Sequence, residues 1–196
     1  MKRWILHLGG ALLLAACAPR GEPDEPTTET TAETIAMEAD PSTSEAGGET
    51  ARADVRDAQG NSLGVLELED TTFGVILSGI LTGLSPGEHG FHVHETGLCE
   101  PPAFESAGSH FAPAGSRHGF HDPDGPHAGD LRNLMVSEDG SATVDMADSL
   151  VTLRRGGSAL LDGDGSALVV HANPDDYRTQ PSGNSGDRIA CGVIEG

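Results

Sequence analysis

The sequence predicts an all-β domain, an antiparallel sandwich or barrel with one long irregular loop. Three observations predict it. Short apolar or alternating runs recur through the later two-thirds of the chain, Gly/Asn/Asp turn signals separate them, and no window carries the period of a long amphipathic helix. The 27 glycines among 196 residues agree, because glycine is costly inside helices and useful in turns.

In chain order, the expected strands are Leu63 to Leu68, Phe73 to Leu77, Ile80 to Leu84, Gly90 to His94, Leu134 to Ser137, Ala142 to Met146, Ala167 to His171 and Ile189 to Ile194. Gly60-Asn61 and Asp139-Gly140 are the strongest turn signals. Between Glu95 and Asp130 the strand pattern stops, and the segment is rich in Gly, Pro and His. A long loop inside a compact domain is usually functional. The folded domain is expected over residues 51–196, with no internal repeat.

Residues 1–17 read as an export signal. Met1-Lys2-Arg3 is basic, and Ile5 to Ala16 is an apolar run too short to span a membrane. It ends Leu14-Ala15-Ala16-Cys17, which resembles the lipobox of bacterial lipoproteins. The resemblance implies lipidation at Cys17 and an exported protein anchored to a membrane of the cell envelope. An ordinary signal peptide cut near Ala16 is the alternative. Residues 18–50 are rich in Thr, Glu, Pro and Ser and nearly free of large apolar side chains, so a disordered acidic linker is expected. As a flexible coil it would reach roughly 30 Å.

The chain carries 31 Asp+Glu against 11 Lys+Arg, a formal charge of -20, and its only lysine is Lys2. This argues against nucleic acid and against charge-driven binding to anionic lipid surfaces, since both require basic patches. Of three cysteines, lipidation at Cys17 leaves Cys99 and Cys191, which are expected to pair in an oxidising compartment.

Nine histidines are present, most of them in one part of the chain. His92 and His94 alternate on a strand, so both imidazoles face one side. Alone, the pair is equally the pattern of two polar residues on a solvent face. The loop adds His110, His118, His127 and Asp130, and three imidazoles with one carboxylate form a zinc-like donor set. His171 closes the apolar run Ala167-Leu168-Val169-Val170, where it is either a ligand or a satisfied core histidine.

These pieces, taken in order, resemble the copper/zinc superoxide dismutase family. The matching stretches are Gly90-Phe91-His92-Val93-His94, Gly108-Ser109-His110-Phe111, the spacing His118 to His127 to Asp130, Val170-His171-Ala172, and Gly183-Asn184-Ser185-Gly186-Asp187-Arg188-Ile189-Ala190-Cys191-Gly192. The resemblance implies a Greek-key β-sandwich or flattened eight-stranded barrel with long metal-binding and electrostatic loops. It implies copper on His92, His94, His110 and His171, and zinc on His110, His118, His127 and Asp130, with His110 shared. It implies that Asp175 orients ligands of both metals, that Cys99 pairs with Cys191, and that Arg188 receives the superoxide anion. His89 is expected to make a buried structural hydrogen bond. His121 is a spare imidazole in the zinc loop, while His118 keeps the family spacing to His127.

The implied reaction converts two superoxide ions to oxygen and hydrogen peroxide, with catalytic roles for Arg188 and His110. The alternative is a non-catalytic copper- and zinc-binding lipoprotein on the same fold. Relatives include monomers and homodimers, and the sequence does not choose between them. With no lysine after Lys2 and Asp187 beside Arg188, electrostatic steering is expected to be weak and to rest on Arg188, with Arg178 assisting.

Overall fold

The computed structural model describes residues 48–196; the expected export signal, Cys17 and nearly all of the expected linker lie outside them. Nine strands follow in order: β1 (Thr50–Asp57), β2 (Ser62–Thr71), β3 (Gly74–Leu81), β4 (Gly87–His89), β5 (Phe91–His94), β6 (Leu134–Val136), β7 (Ala142–Asp148), β8 (Ala167–His171) and β9 (Arg188–Glu195). Seven form one curled antiparallel sheet in the order β5-β8-β9-β1-β2-β3-β7, and β4 pairs with β6 in a second. The expected all-β antiparallel fold is what forms. Among the described residues no helix is long and apolar enough to cross a membrane.

β4 and β5 are two halves of one run that changes partner at Gly90. Before it, His89 pairs with Leu134 of β6; after it, Phe91 pairs with Val170 of β8. The run Gly87–His94 therefore belongs to both sheets.

Two sequence expectations change. Phe73 to Leu77 and Ile80 to Leu84 are not separate strands. β3 runs through Ser78-Gly79, with Gly79 opposite Leu66 in an unbroken ladder. Gly79 has φ +148°, and a Cβ there would press on the Val65 carbonyl, so the glycine permits close approach and not a turn. The eight expected runs also left out β1. Its inward residues are the small Ala51 and Ala53 with Val55, alternating with Arg52, Asp54 and Arg56. The Gly60-Asn61 turn joins β1 to β2, and Asp139-Gly140 lies between β6 and β7.

The main core gathers Leu66, Leu68, Leu77, Phe91, Leu134 and Leu168, all essentially inaccessible. Each such side chain contributes about 1.5–3 kcal/mol on removal from water. β8 is buried at every position because both of its faces are covered. Leu168 and Val170 enter the main core, whereas Ala167 and Val169 face a second cluster with Phe104, Ala107 and Cys191. The long loop supplies that cover, and so creates a dry outer face on β5 and β8 where the histidines lie.

Candidate metal centre

β5 alternates its side chains across the sheet. Phe91 and Val93 enter the core, and His92 and His94 point to the outer face. β5 ends the seven-stranded sheet, so its free edge has unpaired backbone groups, and the loop fills them. Val93 N–H donates to Gly129 O (2.8 Å), Phe111 N–H to Val93 O (2.9 Å), and Glu95 N–H to Ser109 O (2.9 Å). Isolated bridges set His110 against His94 and Asp130 against His92. Edge pairing thus carries the loop ligands to the strand ligands. Gly129 is needed for this approach, because a Cβ there would run into Val93 O.

Two donor clusters result. His92, His94, His110 and His171 form the first; His110, His118, His127 and Asp130 form the second. Within each, one ligand atom per residue lies within 4.8 Å of all the others. All seven residues are buried except His127, which is half-buried. His121 stands outside both clusters, exposed and edge-on to Tyr177 at 6.0 Å. His89 is buried, its Nδ1–H donates to His171 O (2.7 Å), and its Nε2 lies beside Ser85, whose hydroxyl (3.1 Å) can donate to it, so neither nitrogen is left for a metal.

In the first cluster the second ring nitrogen fixes the tautomer. His94 Nδ1–H donates to Gly108 O (2.9 Å), His171 Nδ1–H to Gly186 O (3.2 Å), and His92 Nε2–H to Asp175 Oδ2 (2.9 Å). Each of those oxygens can only accept, so the opposite nitrogen carries a lone pair. Those opposite atoms are His94 Nε2, His171 Nε2 and His92 Nδ1. They are buried without any hydrogen-bond partner, as is His110 Nε2. Orphaned polar atoms are rare in protein interiors, and four converging lone pairs are a ligand set. Burial drives these groups toward the neutral form. It lowers His92, takes His94 well below its ordinary value, and brings His110 to about 4 and His171 to about 3.

The second cluster closes on Asp130 Oδ1, with His110 Nδ1 at 2.8 Å, His118 Nδ1 at 3.0 Å and His127 Nδ1 at 3.2 Å. Neighbouring donors of a tetrahedral zinc stand about 3.3 Å apart, given metal–ligand bonds of about 2.0–2.1 Å. The other oxygen of Asp130 is occupied by the N–H groups of Gly119 (2.8 Å) and His127 (3.0 Å). Both His118 nitrogens face carboxylate oxygens, Nε2 on Asp175 Oδ1 (3.0 Å) and Nδ1 on Asp130 Oδ1, so without metal the ring is an imidazolium that donates at both. A metal bound between Nδ1 and Asp130 would take the place of the Nδ1 proton. Burial alone would lower His118, but hydrogen bonds to Asp130 and Asp175 outweigh it and raise the group to about 9. Burial likewise opposes ionisation of Asp130, and the three imidazoles overcome it and hold this carboxyl well below the usual range.

Asp175 spans the two clusters, since its two oxygens take His92 and His118. Gly183 packs against this carboxylate with φ +65°, and a Cβ there would overlap Asp175 Oδ1. Cys99 and Cys191 are joined in a disulfide closing 92 residues. It fastens the loop to β9 near Arg188, whose guanidinium donates to Phe104 O (2.6 Å) and Gly108 O (2.6 Å). Burial pulls Arg188 below its ordinary value and Glu105 partly restores it; an arginine stays charged regardless. Arg188 reaches the cavity over the first cluster, whereas Arg178 does not line it.

Residues 62–194 match the family described as copper/zinc superoxide dismutase (SODC). The chain belongs to that family. Copper/zinc superoxide dismutase 2 of Aquifex aeolicus is 44% identical over 146 residues, covering 74% of this chain and 85% of the relative. The copper/zinc superoxide dismutase of Caulobacter vibrioides is 46% identical over 149 residues, covering 74% and 86%. Among solved structures, a double mutant of a SOD-like protein from Bacillus subtilis superposes with a TM-score of 0.72 at 42% identity, covering 74% of this chain and 97% of that one. The donor sets fit the family's two metals: four imidazole nitrogens suit copper, and three imidazoles with a carboxylate suit zinc. The chain is an oxidoreductase of the superoxide dismutase type.

Two roles have no counterpart among the sequence expectations: Glu95 lines the cavity mouth, and Gly183, known only as part of a matching stretch, packs under Asp175. Glu95 follows the His-Val-His motif immediately, so its position was a signal; its direction was not.

Proposed function

We propose that this chain dismutes superoxide outside the cytoplasm while held to a membrane through lipidated Cys17. One observation carries the catalytic part: His110 offers Nε2 to the first cluster and Nδ1 to the second, so one ring serves both sites. His92, His94, His110 and His171 would hold copper, and His110, His118, His127 and Asp130 zinc. Copper, when bound, supplies a one-electron couple that oxidises one superoxide and reduces the next, while zinc is redox-silent.

The chain's own groups do the rest. Arg188 presents a positive charge at the cavity, fixed by two backbone carbonyls, and draws the anion toward the ligand cluster. Zinc-side contacts at Nδ1 hold the His110 ring in place, so its Nε2 is the atom placed to take up a proton and pass it to the departing peroxide. Asp175 keeps His92 and His118 in their tautomers. Two superoxide ions and two protons give one oxygen and one hydrogen peroxide.

The placement outside the cytoplasm rests on the apolar leader and the lipobox-like Ala15-Ala16-Cys17. The acidic segment after it would serve as a tether. Pulse radiolysis of the full chain loaded with both metals tests the activity. First-order decay of superoxide scaling with enzyme supports it; stoichiometric metal binding without turnover leaves a metal-holding lipoprotein instead. Membrane fractionation tests the anchor: Cys17→Ser should move the protein from the membrane to the soluble fraction, and an unchanged distribution rejects lipidation at that residue.

A further inference from the structure

The cavity over the first cluster, about 420 Å³, is lined by His94, Glu95, Ser109, His110, His171 and Arg188 among others. Setting the imidazoles aside, its lining holds one cation, Arg188, and one carboxylate, Glu95. Glu95 is exposed at the end of β5, directly after His94. It is not free to swing away. Its Oε1 accepts the Ser109 N–H (2.9 Å). Its side chain also lies against Gly108, so closely that a Cβ there would meet Glu95 Cγ at 2.7 Å and Oε1 at 2.8 Å. The Gly108 carbonyl in turn accepts from Arg188 Nη2 and from His94 Nδ1. Two adjacent backbone residues, Gly108 and Ser109, therefore fasten the attracting guanidinium, a ligand ring and an opposing carboxylate.

We propose that Glu95 is an electrostatic brake on anion entry, a rate-setting residue that offsets Arg188 at the mouth. This rests on the reading of the first cluster as a copper site that receives superoxide. A small anion approaching the cluster meets a fixed dipole of opposed charges, not a positive funnel. No lysine occurs after Lys2 to tip the balance, and Glu105 and Asp187 stand on the far side of Arg188, lining the neighbouring groove with it. Long-range attraction is therefore cancelled, and entry depends on close contact with Arg188.

Glu95→Gln is the test, because the amide keeps an oxygen for the Ser109 N–H and removes only the charge. In the copper- and zinc-loaded full chain, the second-order rate with superoxide at low ionic strength should rise about two- to fivefold, the range for one charge removed several ångströms from a monoanion's path. The gain should vanish at about 1 M salt, where screening is complete within a few ångströms. Azide affinity for the copper(II) form, read by absorption titration, should rise by a similar factor. Glu67→Gln, on β2 away from the cavity, should change neither. The unmodified chain should show a rate that is flat or rising with added salt.

A Glu95→Gln rate and azide affinity equal to the unmodified chain's overturn the proposal, as does a gain that persists in high salt. A steep fall of the unmodified rate with salt also overturns it, whatever the variant does. If azide affinity rises in the variant but superoxide decay is not catalysed by either protein, the brake stands and the dismutase reading fails.

Discussion

Each first-cluster ligand from β5 and β8 has one ring nitrogen committed to an oxygen that can only accept, and this decides which nitrogen can bind metal. Asp175 does so for one ring in each cluster. Asparagine would supply one acceptor where two N–H groups need one each. Asp175→Asn should therefore weaken zinc binding about 10–100-fold, measured by competition with a chromophoric chelator; an unchanged affinity would show that Asp175 orients nothing. A different carboxyl is a liability. Asp148 ends β7 with Oδ1 accepting the Leu150 N–H and Oδ2 buried without a partner. Burial, helped by the charge of Asp130, pushes it up to about 6. The folded value lies above the unfolded one, so ionisation costs stability above pH 6, and the cost disappears as pH falls toward 4. Asp148→Asn should stabilise the protein by about 1–3 kcal/mol at pH 8 and by little at pH 4. Urea denaturation at both pH values checks this. None of it was visible in the sequence: Asp148 is one aspartate among many, and only burial distinguishes it.

At the scale of elements, the loop from residue 95 to 133 is ordered by what it attaches to. It hydrogen-bonds to the free edge of β5, inserts Phe104 over β8, and is joined to β9 by the Cys99–Cys191 disulfide. For a closed loop of this length, chain entropy gives the disulfide about 4–5 kcal/mol. Replacing both cysteines by serine should lower stability by about 2–5 kcal/mol in calorimetry. It should also reduce the rate with superoxide more than the metal content, because Phe104 O and Gly108 O position Arg188. Loss of metal in proportion to rate would instead make the disulfide part of the metal scaffold. The sequence revealed the loop by its composition and its histidines by their number. It did not reveal the docking edge, because backbone hydrogen bonding leaves little mark on side-chain choice. β1 leaves little mark for a related reason: its inward positions Ala51 and Ala53 are small and give no apolar run. In β3, a glycine in the strand interior carries the signature of a turn, and only the strand opposite it shows otherwise.

For the whole molecule, the two clusters hold polar groups that the fold alone leaves unsatisfied, so metal and fold are linked. The metal-free protein should become less stable as pH falls from about 6.5. His94, His110 and His171 have folded values depressed below the unfolded one, so the unfolded chain takes up protons that the native chain refuses. His118 acts oppositely: its stabilisation is complete below about 6.5 and is lost as pH rises through about 9. Asp148 also opposes the trend, but as one group against four, since His92 is lowered as well. Urea midpoints of the metal-free chain should therefore fall between pH 7 and pH 4.5, and a level midpoint would contradict this. The acidic balance of -20 was legible from composition, but its meaning was not, since surface charge matters to the reaction only where it meets the cavity.

The central claim is that one imidazole, His110, joins two metal sites. Electron paramagnetic resonance of the full chain with copper(II) in both clusters tests it most directly, because two such ions on one bridging ring couple magnetically. The account predicts that most of the isolated-copper signal disappears at low temperature and returns, as uncoupled copper, in His110→Ala. Two full, independent copper signals from the unmodified chain would contradict it.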